Sequence, residues 1–184
     1  GTTGNPKGVM LSHRNIVSNI LAVSPLVPLV AGQRALSFLP LNHVFERVVT
    51  YAYFYHGVNI IQTGLDNIAG DLQAHKPHFF TTVPRLLEKV YEKIYQKGLE
   101  LSGIKKALFF WALSLTDDYE YNIEYRGLRA IKQRIADKLI FAKWREALGG
   151  NVVGILTGAS ACPVKIARVF SAAGIPVREG YGLT

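Results

Sequence analysis

One cysteine, Cys162, occurs in 184 residues. That scarcity excludes an internal disulfide and any zinc site built from several thiolates. A lone cysteine fits a reducing compartment, so a cytoplasmic setting is expected, with Cys162 a small buried apolar residue. Long apolar runs are also missing. The longest stretch, Ile20 to Ala31, is interrupted by Pro25 and Pro28 and is shorter than the roughly 20 residues a membrane-spanning helix needs. Charge does not come in blocks either. Lys and Arg number 21 against 13 Asp and Glu, a net charge of +8, but acids and bases interleave, as in Glu88-Lys89 and Glu92-Lys93. Without a basic tract, nucleic acid is not expected as a partner, and the positive balance suits small anionic substrates. Internal repeats and low-complexity segments are absent too.

What is present is enough for one sizeable core, since 49% of the residues are hydrophobic. Ser12 reads as the N-cap of a helix from His13 to near Pro25, with His13 in a solvated first turn. Buried strands are expected at Gln33–Pro40, Val58–Gln62, His78–Val83, Asn151–Thr157 and Ile175–Arg178. Between them the pattern predicts helices at Asn42–His56, Asn67–Ala74, Arg85–Gln96 after Pro84, and Pro163–Ala173. Two further helical stretches carry apolar residues at helical spacing. One holds Ile104, Leu108, Trp111 and Leu115; the other holds Leu128, Ile131, Ile135, Leu139 and Ala142. Packing of these stripes on the core is favoured; rest on a membrane surface is the alternative. Alternating strands and helices give an α/β class, a mostly parallel sheet with helices on both faces and ligands at the carboxyl ends of the strands.

The first eight residues, Gly1-Thr2-Thr3-Gly4-Asn5-Pro6-Lys7-Gly8, have the chemistry of a polyphosphate cradle. The glycines permit close backbone approach, Thr2 and Thr3 offer hydroxyls, and Lys7 brings a mobile positive charge. A Walker loop is disfavoured, because Pro6 precedes the lysine and Gly8 comes directly after it.

This string, continuing Val9-Met10-Leu11-Ser12-His13, resembles the phosphate loop of the adenylate-forming superfamily, which includes acyl-CoA ligases, luciferases and adenylation domains. Glu179-Gly180-Tyr181-Gly182-Leu183-Thr184 resembles its adenine motif, and Pro40-Leu41-Asn42-His43-Val44-Phe45-Glu46-Arg47 resembles the wall between nucleotide and acyl pocket in long-chain fatty acid–CoA ligases. Thr157-Gly158-Ala159-Ser160 resembles the glycine-rich turn beside the adenosine, with Ala159 where the family usually has a second glycine. The long helical insertion, about 97–148, is similar to that of long-chain ligases.

The resemblance implies an internal fragment of the AMP-binding large domain: phosphate loop at 1–8, insertion at about 97–148, adenine motif at 179–184, and a C-terminal lid domain outside the chain. It implies that Thr2, Thr3, Gly4 and Lys7 contact the ATP phosphates, stabilising negative charge on departing pyrophosphate. Lys7, His43 and Thr184 are the expected catalytic residues. Gly158, Ala159, Ser160, Glu179, Gly180 and Tyr181 would contact adenine and AMP, and Phe45 would line the acyl pocket. Glu46 and Arg47 are expected to form a structural ion pair. The aromatics Tyr51, Tyr53, Phe54 and Tyr55 suit an acyl tunnel or ordinary core packing equally. ATP, Mg2+ and CoA are the implied cofactors and co-substrates, with fatty acid as substrate and peripheral membrane contact as a further expectation. No metal ligand is expected within the chain; the family's glutamate would come directly after Thr184. The implied activity is ATP-dependent conversion of a long-chain fatty acid to acyl-adenylate and then acyl-CoA, the isolated fragment being inactive. The alternatives are an adenylating ligase for aryl or shorter acids, or one that loads a carrier protein, and a non-catalytic fragment that binds nucleotide or lipid.

Overall fold

The computed structural model describes residues 8–182. Helix α1 (His13–Val23) starts at a reciprocal capping box: Ser12 Oγ accepts the Asn15 N–H at 3.2 Å, and Asn15 Oδ1 accepts the Ser12 N–H at 2.9 Å. Pro25 then converts the chain to a 3-10 turn over Ser24–Leu26. Next come β1 (Arg34–Ser37), α2 (Val44–Tyr55), β2 (Asn59–Gln62), α3 (Ile68–His75) and β3 (Phe79–Thr82). After α4 (Pro84–Glu100), which begins on Pro84 where a missing N–H costs nothing, come α5 (Gly103–Ser114), α6 (Gly127–Ala136) and α7 (Ala142–Ala147). The described chain closes with β4 (Gly154–Thr157), α8 (Val164–Ala172) and β5 (Val177–Glu179).

The five strands form one sheet in the order β2-β1-β3-β4-β5, and every neighbouring pair is parallel. The chain moves from β1 outward to β2, then returns past β1 to β3, so the gap between β1 and β3 is the switch point of the sheet. Strand alternation sends Leu36, Phe80 and Ile155 to one face and Ala35, Phe79 and Leu156 to the other. The first face meets Leu72, Leu87, Phe109, Phe141, Trp144 and Phe170 from helices later in the chain than β2. The second face packs mainly against α2, through Tyr53, with Val58 and the partly buried Val27 and Leu29 beside it.

The helical insertion differs from expectation in which residues face inward. Ile104 is 80% exposed and Leu128 77%, and Ile131, Ile135 and Leu139 are also exposed. Leu115 of the expected stripe is buried and Trp111 packs on the core half-buried; the other buried residues are Phe109, Ala112 and Leu113, then Ala136, Phe141 and Trp144. A single π turn over Asp137–Phe141 separates α6 from α7. Such a turn adds a residue to the helical repeat and rotates the helix beyond it, so a stripe extrapolated at 3.6 residues per turn loses phase after Ala136; Ile104, Leu128, Ile131 and Ile135 precede it and are exposed because α5 and α6 turn other faces to the core. Arg145 fastens the turn: its Nη1 and Nη2 donate to Asp137 Oδ1 and Oδ2 at 2.5 and 3.1 Å, and Nη1 also donates to Ala173 O at 2.7 Å. Cys162 is buried, and burial pushes its thiol above the ordinary range, with the charges of Glu179 and Glu88 acting in the same direction. Among the described residues no helix is long and apolar enough to cross a membrane.

Candidate functional site

Three segments far apart in sequence meet at the carboxyl ends of the strands. The loop after β1 delivers His43, which becomes the N-cap of α2: its Nδ1 accepts the Phe45 N–H at 3.3 Å. The turn after β4 delivers Gly158 and Ala159. The exit of β5 delivers Gly180 and Tyr181, and the Gly180 N–H donates to Thr157 O at 2.7 Å, which ties the last two turns together. Arg178 anchors the same strand by donating from Nη1 to Leu26 O at 2.9 Å.

These segments border a groove of about 460 Å³ that is mostly apolar. His43, Phe45, Ala159, Glu179, Gly180 and Tyr181 all line it. Phe45 is the hinge of the arrangement. A Cβ on Gly158 would lie 2.8 to 3.0 Å from the Phe45 ring, and one on Gly180 would lie 3.1 Å from it. The absence of side chains at both glycines is therefore used to let the ring sit between the two turns. Ala159 has φ +69°, a left-handed conformation that glycine adopts freely and alanine does not. This gives a physical reason for the glycine usual at that place in the resembling motif, and alanine holds it at a local cost.

The remaining sequence-derived site residues fall elsewhere. Thr2, Thr3, Gly4, Lys7 and Thr184 lie outside the described residues. Ser160 is exposed and does not line the groove. Of the aromatic run, Tyr53 is fully buried in the core while Tyr51, Phe54 and Tyr55 are exposed, and none of the four lines the groove. The expected Glu46–Arg47 pair does not form. Glu46 is wholly buried and accepts a hydrogen bond from Ser37 Oγ, whereas Arg47 Nε donates to Leu41 O at 2.9 Å. Adjacent residues on a helix point about 100° apart, so they have little chance to pair.

The opposite wall of the groove was not legible in the sequence. It comes from α1, through Asn15, Ile16, Asn19 and Val23. Within α1 only Ile20 is buried, so which of its apolar residues face the groove is set by tertiary packing. Among the described residues no three His, Cys, Asp or Glu side chains are grouped closely enough to hold a metal ion.

The family model described as AMP-binding enzyme matches residues 1–184. The chain belongs to that family. It is 38% identical over 191 residues to long-chain-fatty-acid–CoA ligase 5 of Rattus norvegicus, an alignment that takes in 100% of this chain and 27% of the rat protein. It is 31% identical over 212 residues to the chloroplastic long-chain-fatty-acid–[acyl-carrier-protein] ligase AEE15 of Arabidopsis thaliana, covering 100% of this chain and 29% of that protein. The chain thus spans less than a third of the length of these curated relatives. In fold it resembles the N-terminal domain of FACL13 from Mycobacterium tuberculosis, with a TM-score of 0.62 at 18% identity over 100% of this chain and 35% of that one. An AMP-binding enzyme with an all-parallel α/β sheet places its switch-point and strand-end loops where nucleotide ligands are bound in open sheets generally.

Proposed function

We propose that this chain is part of the ATP-binding large domain of a long-chain fatty acid–CoA ligase, with the phosphate loop at 1–8, a helical insertion at about 97–148 and the adenine motif at 179–184. The observation that carries this reading is the groove. It gathers His43 and Phe45 with Ala159, Glu179, Gly180 and Tyr181, residues more than 100 positions apart in sequence. The activities in the relatives' names agree with it.

In this reading the fatty acid carboxylate attacks the α-phosphorus of ATP, pyrophosphate leaves, and the CoA thiol then displaces AMP to give the thioester. Thr2, Thr3, Gly4 and Lys7 hold the β- and γ-phosphates and stabilise charge on the leaving group. Thr184 contacts the α-phosphate. Gly158, Ala159 and Glu179 to Tyr181 face the adenosine, the small residues giving it backbone approach and Tyr181, 97% exposed, offering an aromatic face for the base. His43 stands beside the reacting carboxylate, and Phe45 lines the acyl path. Magnesium, entering with ATP, would screen the phosphates and stabilise the displacement.

A carrier-protein thiol as acceptor is the second reading, favoured by the 31% identical Arabidopsis relative. Peripheral contact with an anionic membrane belongs to the same proposal. It is supported by the exposed Leu128, Ile131, Ile135 and Leu139 and the exposed Lys132, Arg134 and Lys138 among them.

The test is carboxylate-dependent ATP–pyrophosphate exchange by the full-length protein containing this chain, across acids of different length, with Lys7→Ala alongside. Exchange with long-chain acids that falls at least about tenfold in the variant is expected. A folded, ATP-binding protein that exchanges with no acid would overturn the reading. Product analysis with CoA or a carrier protein as acceptor separates the two ligase readings.

A further inference from the structure

Helix α2 turns polar residues toward the sheet. Glu46, Thr50 and Tyr53 are 0%, 3% and 0% exposed, and their spacing puts them on one stripe. Facing them are Ser37, the last residue of β1, and Thr81 in β3, both buried. Ser37 Oγ donates to Glu46 Oε1, and the Tyr53 hydroxyl lies 3.4 Å from Thr81 Oγ1. The carboxyl therefore sits over the β1–β3 gap, the switch point where an open α/β sheet ordinarily admits its ligand. Glu46 does not itself line the groove, which runs beside it along the turns after β4 and β5.

None of the ion pairs among the described residues includes Glu46. A buried carboxylate with no cation is costly, and burial pushes this carboxyl above its ordinary range while the Ser37 and Thr81 hydroxyls draw it back. Glu46 Oε2 and Thr50 Oγ1 are buried without hydrogen-bond partners among the described residues. An apolar side chain of similar size would avoid that cost but would leave the Ser37 hydroxyl without its acceptor. The residue type thus serves the seat more than the core.

We propose that Glu46 is a positioning residue: by accepting from Ser37 at the end of β1 it seats the first turn of α2, and so fixes His43 and Phe45 against the turns at the ends of β4 and β5. The lever is short. His43 caps the same helix, and Phe45, the immediate neighbour of Glu46, fills the space beside Gly158 and Gly180. A displacement of about 1 Å at a reacting group can cost on the order of a hundredfold in rate. The activity part of this inference rests on the function proposed above; the conformational part does not.

Both parts are tested on the full-length protein with Glu46→Leu, Glu46→Gln and Ser37→Ala, by amide hydrogen exchange over residues 43–50 and by ATP–pyrophosphate exchange. Glu46→Leu is expected to speed amide exchange at the start of α2 at least about tenfold, and to lower kcat about tenfold or more with the KM for ATP moved less than about threefold. Ser37→Ala shifts both in the same direction by less. Glu46→Gln keeps a group that can accept from Ser37 and recovers most of both properties. Unchanged amide exchange at residues 43–50 in Glu46→Leu overturns the proposal. So does a Gln variant as impaired as the Leu variant, because that pattern assigns the carboxyl to proton or charge chemistry. Should Glu46→Leu fail to fold, the Gln and Ser37→Ala pair decides. A wild-type protein that exchanges pyrophosphate with no acid removes the proposed function, while the amide measurements still judge the seat.

Discussion

The two faces of the sheet are built from different materials. On one, Leu36, Phe80 and Ile155 meet an interlocked set of aromatics in which the Phe109 ring lies 5.2 Å from Phe110 and 6.0 Å from Trp144, and Phe141 lies 5.2 Å from Trp144, centroid to centroid. On the other, the helix nearest the strand ends presents Glu46, Thr50 and Tyr53 to the hydroxyls of Ser37 and Thr81, and the groove opens beside them. The first face obeys the rule of dense apolar packing, which gives stability and rigidity. The second accepts buried polar groups and open space, features that stabilise little and that binding sites require. One face is packed with apolar side chains; the other combines a smaller apolar cluster with buried polar groups and borders the groove.

Substitutions that probe each face should separate stability from function. The largest effect is expected at Phe109, where truncation to alanine removes a ring that contacts two other aromatics and seals against Gly98. A Cβ at Gly98 would already lie 2.1 Å from that ring. Phe109→Ala should cost about 3–5 kcal/mol in urea unfolding, with ligand affinity unchanged under conditions where the protein remains folded. An equal loss of affinity would deny that the faces are separable. Gly158→Ala comes next. The new methyl meets the half-buried Phe45 ring, which can shift, so about 1–2 kcal/mol is expected with a larger proportional loss in pyrophosphate exchange. Equal stability and activity losses would count against a role for the turn in the site.

Smaller effects should appear at the polar face. The Glu46 carboxyl titrates above its ordinary 4.5 in the folded protein, so between that value and its raised one the native state holds a proton that the unfolded chain has released. Stability should therefore fall as pH rises through this window, and Glu46→Gln should flatten that part of the profile. A steeper fall in the Gln variant would reverse the assignment. Smallest is Ala159→Gly. Relief of a left-handed alanine, offset by added freedom in the unfolded chain, should raise stability by about 0.5–1 kcal/mol in thermal or urea unfolding. A loss would show that the methyl makes contacts worth more than the strain.

Much of the architecture is legible in the sequence because it rests on local rules. Ser12 and Asn15 specify the start of α1, Pro84 the start of α4, and the alternation of apolar strands with amphipathic helices specifies the parallel sheet. The loops that would carry the site stand out as strings, since glycine-rich turns beside strand ends are short and contiguous. The buried side of the insertion is only partly legible: a π turn breaks the helical repeat after Ala136 and nothing in Asp137-Lys138-Leu139-Ile140-Phe141 announces it, while before it the face each helix turns to the core is set by contacts distant in the chain. Glu46 is hidden for a related reason: a charged residue beside an arginine near a helix start looks like surface, and its burial depends on where β1 and β3 lie.

The sequence alone determined the order of elements, the fold class and the glycine-rich loops, for these depend on side-chain size, backbone freedom and repeat within one segment. It also carries the motifs by which the chain resembles its family. Tertiary structure decided which face each helix buries, that α1 forms the far wall of the groove, and that Phe45 packs into the room left by Gly158 and Gly180. It also decided that the carboxyl of Glu46 is buried beside the hydroxyls of Ser37 and Thr81. Each of these depends on contacts between residues distant in the chain, and neither local propensity nor periodicity records such distances.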